Sequence, residues 1–202
     1  MNFLSVAEAA RIVKGGGVVA CPTETFYGLA VNPENRSALS RLFRIKKRER
    51  RKPILLIIAS IGELDRWAVG IGGREKKLIR RFWPGPLTLV MKARSGVSPL
   101  LTAGTGKIGV RLSSEPLARR LARLSGGAIT GTSANRSGEG PARKGSEVER
   151  QLGPVIDGIV SGKSLRSSKG STILDVSGKK ISLLRGGAIP ISKIEKVLNR
   201  AS

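Results

Sequence analysis

Four short segments place hydroxyls, cations and glycines where an apolar core has no use for them. The first, Pro22-Thr23-Glu24-Thr25-Phe26-Tyr27-Gly28-Leu29, follows the apolar run 18–21. A buried strand that exits into such a segment leaves hydroxyls and backbone N–H groups facing a crevice, although the same residues also suit a turn with capping hydroxyls. The second segment, 41–52, is basic at eight of twelve positions: Arg41, Arg44, Lys46, Lys47, Arg48, Arg50, Arg51 and Lys52. Only Glu49 opposes them. That density attracts polyphosphate or nucleic acid, while any single member also fits the solvated end of a helix. The third is Thr130-Gly131-Thr132-Ser133-Ala134-Asn135-Arg136-Ser137-Gly138. Such a cluster can bind phosphate or carboxylate through side chains and backbone N–H groups together, or close a hydrogen-bonded turn. It is not a Walker loop, whose Gly-x4-Gly-Lys-Ser/Thr pattern the chain lacks. The fourth joins Lys169-Gly170-Ser171-Thr172-Ile173-Leu174-Asp175 to Leu184-Arg185-Gly186-Gly187-Ala188-Ile189. Ser171 and Arg185, fourteen residues apart, can face one cavity across two adjacent strands; Asp175 reads as structural.

Composition restricts what those groups can do. The chain has 202 residues, 37 Lys plus Arg against 14 Asp plus Glu, a formal net charge of +23 and no histidine. Ser-His-Asp and Cys-His nucleophiles, imidazole acid–base catalysis and His-containing metal sites are therefore excluded. One cysteine, Cys21, excludes internal disulfides and Cys-rich zinc sites, and suits a reducing compartment. Any chemistry must rest on cations, hydroxyls, backbone amides and a few carboxylates. The seven aromatic residues leave the core to Ile, Leu, Val and Ala. No stretch approaches the roughly 20 apolar residues of a membrane span, and the N-terminus lacks the basic start and apolar centre of a signal peptide. A cytoplasmic location is expected.

The positioning elements are legible in outline. Ser5-Val6-Ala7-Glu8 has capping-box spacing before a helix ended by Gly15-Gly16-Gly17. Strands are expected at 18–21, 54–59, 87–91, 108–112, 128–132, 155–160, 172–176 and 181–184. Helices are expected at 35–47, 75–82 and 116–124, with a short one near Glu147 and a last one whose first turn holds Pro190. Ser60-Ile61-Gly62-Glu63 reads as a second capping box, and 94–107 as a loop. Helices and strands interleave, but the last three strands arrive almost in succession. An α+β fold follows, with a twisted mixed sheet, helices packed on it in an α/β-like three-layer manner, and one domain over 1–202.

Taken together and in order, seven pieces of this sequence resemble the YrdC/Sua5 family, the threonylcarbamoyl-AMP synthases. They are Pro22 to Leu29; Lys46-x-Arg48 followed by Pro53; Phe82-Trp83-Pro84-Gly85-Pro86-Leu87-Thr88; Gly109-Val110-Arg111; Thr132-Ser133-Ala134-Asn135-x-Ser137-Gly138; Ser171-Thr172-Ile173-Leu174-Asp175; and Leu184-Arg185-Gly186-Gly187. The chain ends soon after the last, which resembles the short form without the C-terminal domain of the longer Sua5 type.

The resemblance implies a YrdC-like fold and a reaction: L-threonine, bicarbonate and ATP yield threonylcarbamoyl-adenylate and pyrophosphate. A separate transferase complex then passes the threonylcarbamoyl group to adenosine 37 of tRNAs reading codons that start with A. It implies that Lys46 and Arg48 carry the catalysis and, with Arg50, clamp the triphosphate, Mg2+ arriving with the nucleotide and no resident metal being required. Lys107, Ser133, Asn135 and Arg185 would lie on the ATP side. Thr23, Arg111, Gly131 and Ser171 would hold threonine, Arg111 by a forked contact to its carboxylate. Tyr27 would wall the pocket, and Glu24 is a candidate by position for the proton of the threonine amine. One departure stands out: Glu49 occupies the place where the family usually has Pro. It either pairs with Arg48 or Arg50 or points to solvent, and the local cation excess favours solvent.

Two other readings compete. The net charge exceeds what one ATP requires, which suggests a non-catalytic RNA-binding translation or ribosome-maturation factor of the same fold, or direct binding of tRNA or double-stranded RNA. Few aromatic platforms for single strands are present to support it. A hydrogenase-maturation relative that handles carbamoyl-adenylate would carry zinc-finger cysteines and an acylphosphatase-like segment, both missing here.

Overall fold

The computed structural model describes residues 3–136, 138–163 and 169–199; Ser137 of the third segment lies outside them. Strand β1 (Phe3–Leu4) leads into helix α1 (Val6–Lys14). Ser5 caps that helix reciprocally, its hydroxyl accepting from Glu8 N and Glu8 Oε2 accepting from Ser5 N at 2.8 Å. Strands β2 (Val19–Cys21) and β3 (Gly28–Ala30) form an antiparallel pair around the 22–27 segment. Helix α2 (Arg36–Lys46) is capped by Asn35, whose Oδ1 accepts from Ala38 N at 2.9 Å. It stops at Lys47, which adopts the left-handed conformation at φ 48° that commonly ends helices.

The order continues with β4 (Leu56–Ile58), β5 (Ala68–Val69), α3 (Gly73–Phe82), β6 (Leu87–Ala93), α4 (Pro99–Thr102), β7 (Lys107–Arg111) and α5 (Pro116–Leu124). It ends with β8 (Ala128–Thr130), β9 (Thr132–Ser133), α6 (Gly145–Leu152), β10 (Gly158–Val160), β11 (Thr172–Asp175), β12 (Ser182–Arg185) and α7 (Ile191–Leu198).

The α+β class holds, and the strands divide between two mixed sheets. One has the order β1-β10-β2-β3-β9. The other runs β12-β11-β6-β7-β4-β8, with β5 added on β6. The stretch 128–132, expected as one strand, is two: β8 pairs with β4 in the larger sheet and β9 with β3 in the smaller. The change of sheet occurs at Gly131. A Cβ there would stand 2.7–2.9 Å from the Leu55 and Ile57 side chains, so the close approach of the two sheets requires glycine.

Other elements differ locally from expectation. Ser60 makes no side-chain cap, and 61–66 form a 3-10 turn rather than a boxed helix. The strand expected from 155 begins at Gly158, after a 3-10 turn at Gly153–Val155. Pro190 precedes its helix as the cap residue instead of standing in the first turn. The 94–107 loop contains α4, started by Pro99 and by Ser98 Oγ accepting from Leu100 N at 3.3 Å.

The main core is aliphatic, centred on Leu29, Leu39, Leu42, Leu56, Leu78, Leu89 and Val110, with Tyr27, Phe43, Trp67 and Trp83 joining it. A second cluster packs α1 and α5 against the strands through Ala9, Val13, Ala118, Leu121 and Ile129. Among the described residues no helix is long and apolar enough to cross a membrane.

Candidate functional site

Alternation along the larger sheet builds the site. On β6, Leu87, Leu89 and Met91 are buried in the core while Thr88 and Val90 line a cavity of about 730 Å³. The same period places Lys107, Gly109 and Arg111 of β7 there, and Ser171, Ile173 and Asp175 at and along β11. Gly109 keeps the wall thin, since a Cβ would meet Leu55 Cβ at 3.3 Å and Thr88 Cγ2 at 3.5 Å. The smaller sheet closes the opposite side with Thr23, Tyr27, Gly28 and Ser133. A volume of this size suits a ligand as large as a nucleotide with a small molecule beside it.

Two guanidiniums line the cavity at different depths, Arg111 buried and Arg185 exposed. Arg111 is 3% exposed, its Nη1 standing 3.3 Å from Glu24 Oε1 and 3.4 Å from Thr25 Oγ1. The Glu24 contact is a charge contact without hydrogen-bond alignment, and among the described residues Glu24 Oε1 and Arg111 Nε both lack a hydrogen-bond partner. Arg185 donates from Nε and Nη2 to the Ser171 carbonyl, at 3.1 and 2.9 Å, and from Nη2 to Ser171 Oγ at 3.0 Å. Ser171 Oγ in turn lies 3.0 Å from Thr88 Oγ1. Burial pulls both guanidiniums below their ordinary pKa; Glu24 opposes this at Arg111, and the charge of Arg111 adds to it at Arg185. Both stay charged, because arginine does not deprotonate in proteins. One buried guanidinium and a second, more exposed one on the same cavity make a site suited to an anion.

The outer wall carries further cations in a different state. Arg48 folds back on its own loop, donating from Nε to Lys52 O at 3.2 Å and from Nη2 to Pro53 O at 2.9 Å. Lys107 pairs with Asp175 at 2.8 Å. Burial pushes the Asp175 carboxyl up, but the bonds from Lys107 and Ser177 outweigh it and hold the group below its ordinary value. Thr23 Oγ1 is consumed in the turn it organises, donating to Phe26 O at 2.7 Å and accepting from Thr25 N and Phe26 N.

Of the residues expected at the site, Thr23, Arg48, Lys107, Arg111, Gly131, Ser133, Asn135, Ser171 and Arg185 all line the cavity. Lys46 does not. The residue is 3% exposed, and its Nζ donates to the Ser133 carbonyl, to Asn135 O at 2.9 Å and to Asn135 Oδ1 at 3.3 Å. It ties the end of α2 to the nucleotide-side loop. Burial, helped by the charge of Arg48, pushes its amine down to about 8. Arg50 is exposed and outside the cavity; the left-handed turn at Lys47 carries the chain back outward beyond Arg48.

Glu49 is solvent-exposed, the course the cation excess favours, and pairs there with Arg51 and with Lys52 at 3.0 Å rather than with Arg48 or Arg50. Arg185, expected with the nucleotide, is bonded to Ser171, expected with threonine, so the two groups meet there. Tyr27 walls the pocket as expected, buried with its hydroxyl 3.5 Å from Val160 O. Thr88, Thr25, Lys52 and Asp175 also line the cavity, beyond the ligands expected from sequence. The alternation of polar side chains in otherwise apolar strands is the signal that marks Thr88 and Asp175.

Known proteins share the family and the fold. The Sua5/YciO/YrdC family model, described as telomere recombination, matches residues 11–187. A threonylcarbamoyl-AMP synthase of Bacillus subtilis is 37% identical over 98% of the chain, which spans 57% of that relative. One of Nitrosococcus oceani is 36% identical over 84% of the chain and 92% of its own length. The crystal structure of Pyrococcus abyssi Sua5 complexed with L-threonine superimposes with a TM-score of 0.93 at 35% identity, covering 96% of this chain and 57% of that one. The chain thus spans somewhat over half the length of some relatives and nearly all of others. With the family model matching most of its length and the fold shared throughout, the chain belongs to the Sua5/YciO/YrdC family.

Proposed function

We propose that this chain is an enzyme, a nucleotidyltransferase that joins L-threonine, bicarbonate and ATP into L-threonylcarbamoyladenylate and pyrophosphate. The observation that carries the reading is a cavity lined by the buried Arg111 guanidinium and by the more exposed Arg185, which is bonded to Ser171 and through it to Thr88. A small amino acid carrying a carboxylate and a hydroxyl matches that set. The names of the relatives and the threonine bound to the Pyrococcus structure support it.

In chemical outline, the threonine nitrogen bonds to the bicarbonate carbon with loss of water. A carbamate oxygen then attacks the α-phosphorus of ATP, the bond to the β-phosphate oxygen breaks, and pyrophosphate leaves. Positioning and charge neutralisation carry most of such a transfer, which is why a chain without histidine can perform it. Arg111 anchors the threonine carboxylate, and Thr23 and Gly131 shape the space beside it. Arg48 and Lys52 meet the triphosphate, for which Arg48 exchanges its bonds to Lys52 O and Pro53 O. Lys46 fixes Ser133 and Asn135 against the nucleotide, and Lys107 marks its far side. Mg2+ enters as part of the Mg–ATP substrate.

The product would pass to a tRNA threonylcarbamoyl transferase complex, and the solvent-facing cations of a +23 chain support tRNA as a further partner. The test is pyrophosphate release with Mg–ATP and bicarbonate. It should require threonine; release that ignores threonine would overturn the reading.

A further inference from the structure

Ser113 belongs to none of the four polar segments and lies outside the cavity wall, yet it is fully buried and its hydroxyl donates to Glu24 Oε2. The hydroxyl also accepts from Glu115 N at 3.1 Å, and the Ser113 carbonyl accepts from Arg119 Nη1 at 2.6 Å. The residue is therefore fixed from both ends by the start of α5. Across from it, Glu24 faces Arg111 with its other oxygen only, and that oxygen finds no hydrogen-bond alignment.

A carboxylate free to turn beside a guanidinium forms the two-pronged pair, which would saturate one edge of Arg111. Ser113 prevents this by taking Oε2 away. The arrangement leaves Arg111 Nε a buried donor without a hydrogen-bond partner among the described residues, in a residue that is 3% exposed and lines the cavity. A buried donor left without a partner is unfavourable, and an anion bound against this guanidinium relieves that.

We infer that Ser113 is a positioning residue that, by holding Glu24 Oε2, keeps Arg111 open for the carboxylate of the amino-acid substrate. The inference rests on the reading of the cavity as a threonine site. It also separates two roles for Glu24: it supplies the counter-charge that makes burial of Arg111 tolerable, and it is restrained from quenching it.

The test is calorimetric titration of L-threonine, and separately of Mg–ATP, into the full chain and into Ser113→Ala, Glu24→Gln and the double variant. Ser113→Ala should weaken threonine about tenfold, the change expected for one charge-assisted bond, and leave Mg–ATP affinity as it was. In the Glu24→Gln background the same Ser113→Ala change should have little further effect, because the serine acts through the carboxylate. Ser113→Thr, which keeps the hydroxyl, should recover most of the affinity relative to Ser113→Ala. Three results would overturn the inference: wild-type threonine affinity in Ser113→Ala, equal losses for threonine and Mg–ATP, or the same loss in both backgrounds. Failure of the unaltered chain to bind threonine at all would instead bring down the reading of the cavity, and this inference with it.

Discussion

Gly187 sits where a single methyl group would disturb the site without touching a ligand. A Cβ built there lies 2.4 Å from Gly170 O, 2.4 Å from Ser171 C and 2.5 Å from Thr172 N. All three are backbone atoms, so no rotamer change relieves the contact. An ordinary Cβ contact begins at 3.4 Å, and the start of β11 would have to retreat by about 1 Å. Retreat is opposed by Ala188 N donating to Gly170 O at 2.9 Å, and by Thr172 Oγ1 bridging Ile189 O and Ile189 N at 2.7 and 3.0 Å. Overpacking of this kind costs about 1–3 kcal/mol. For a chain of this length that is a fall in Tm of roughly 2–12 °C. The displaced residue is Ser171, and a shift of 1 Å at a positioned group costs on the order of a hundredfold in rate. Gly187→Ala should therefore lower kcat/KM for threonine about a hundredfold, measured by pyrophosphate release, and lower Tm by differential scanning calorimetry. Gly186→Ala is the stability control, because a Cβ there meets nothing within 4 Å. A Gly187→Ala protein with unaltered Tm and threonine kinetics would refute the packing argument and the placement of Ser171.

Other expectations follow from the same geometry. Lys46 binds its proton less tightly folded, at about 8, than unfolded, near 10.5. The unfolded chain therefore holds more protons between those values, and stability rises with pH across that window. Urea unfolding from pH 7 to 10.5 should show wild type gaining on Lys46→Met by up to about 3 kcal/mol; a flat difference would mean the amine is not desolvated. Arg111→Lys removes the fork but keeps the charge, so KM for threonine should rise about tenfold or more while KM for ATP moves little; a larger effect on ATP would place Arg111 with the nucleotide. Affinity for tRNA, measured by filter binding, should fall steeply between 50 and 200 mM salt by counterion release; a salt-insensitive affinity would contradict a surface-charge contact.

How much of this was readable beforehand depends on what each feature rests on. Apolar runs and cap residues mark α1, α2, α5, β4 and β7 because their signals are local: Ser5 with Glu8, Asn35, Pro116, and the run 54–59. The strands β1, β3 and β9 are two or three residues long and exist through pairing partners far away in the chain, so no window of sequence reveals them. The split at Gly131 is a contact between sheets and is invisible for the same reason. Within the basic segment, composition treats Lys46, Arg48 and Arg50 alike. The left-handed Lys47 then buries the first against Ser133 and Asn135, lays the second on the cavity wall and sends the third into solvent. Asp175 reads as structural and does bind Lys107 and Ser177, but the pleat also faces it into the cavity. Ser113 had no signal at all, since its role rests on a partner 89 residues away.

The central claim is that one cavity assembles threonine, bicarbonate and ATP into a single adenylate. The most direct measurement is mass spectrometry of the nucleotide product formed from 13C-bicarbonate, L-threonine and Mg–ATP. The expected result is an adenylate containing threonine and carrying the label, absent when threonine is omitted. Label-free AMP as the sole product, formed equally without threonine, would contradict the account.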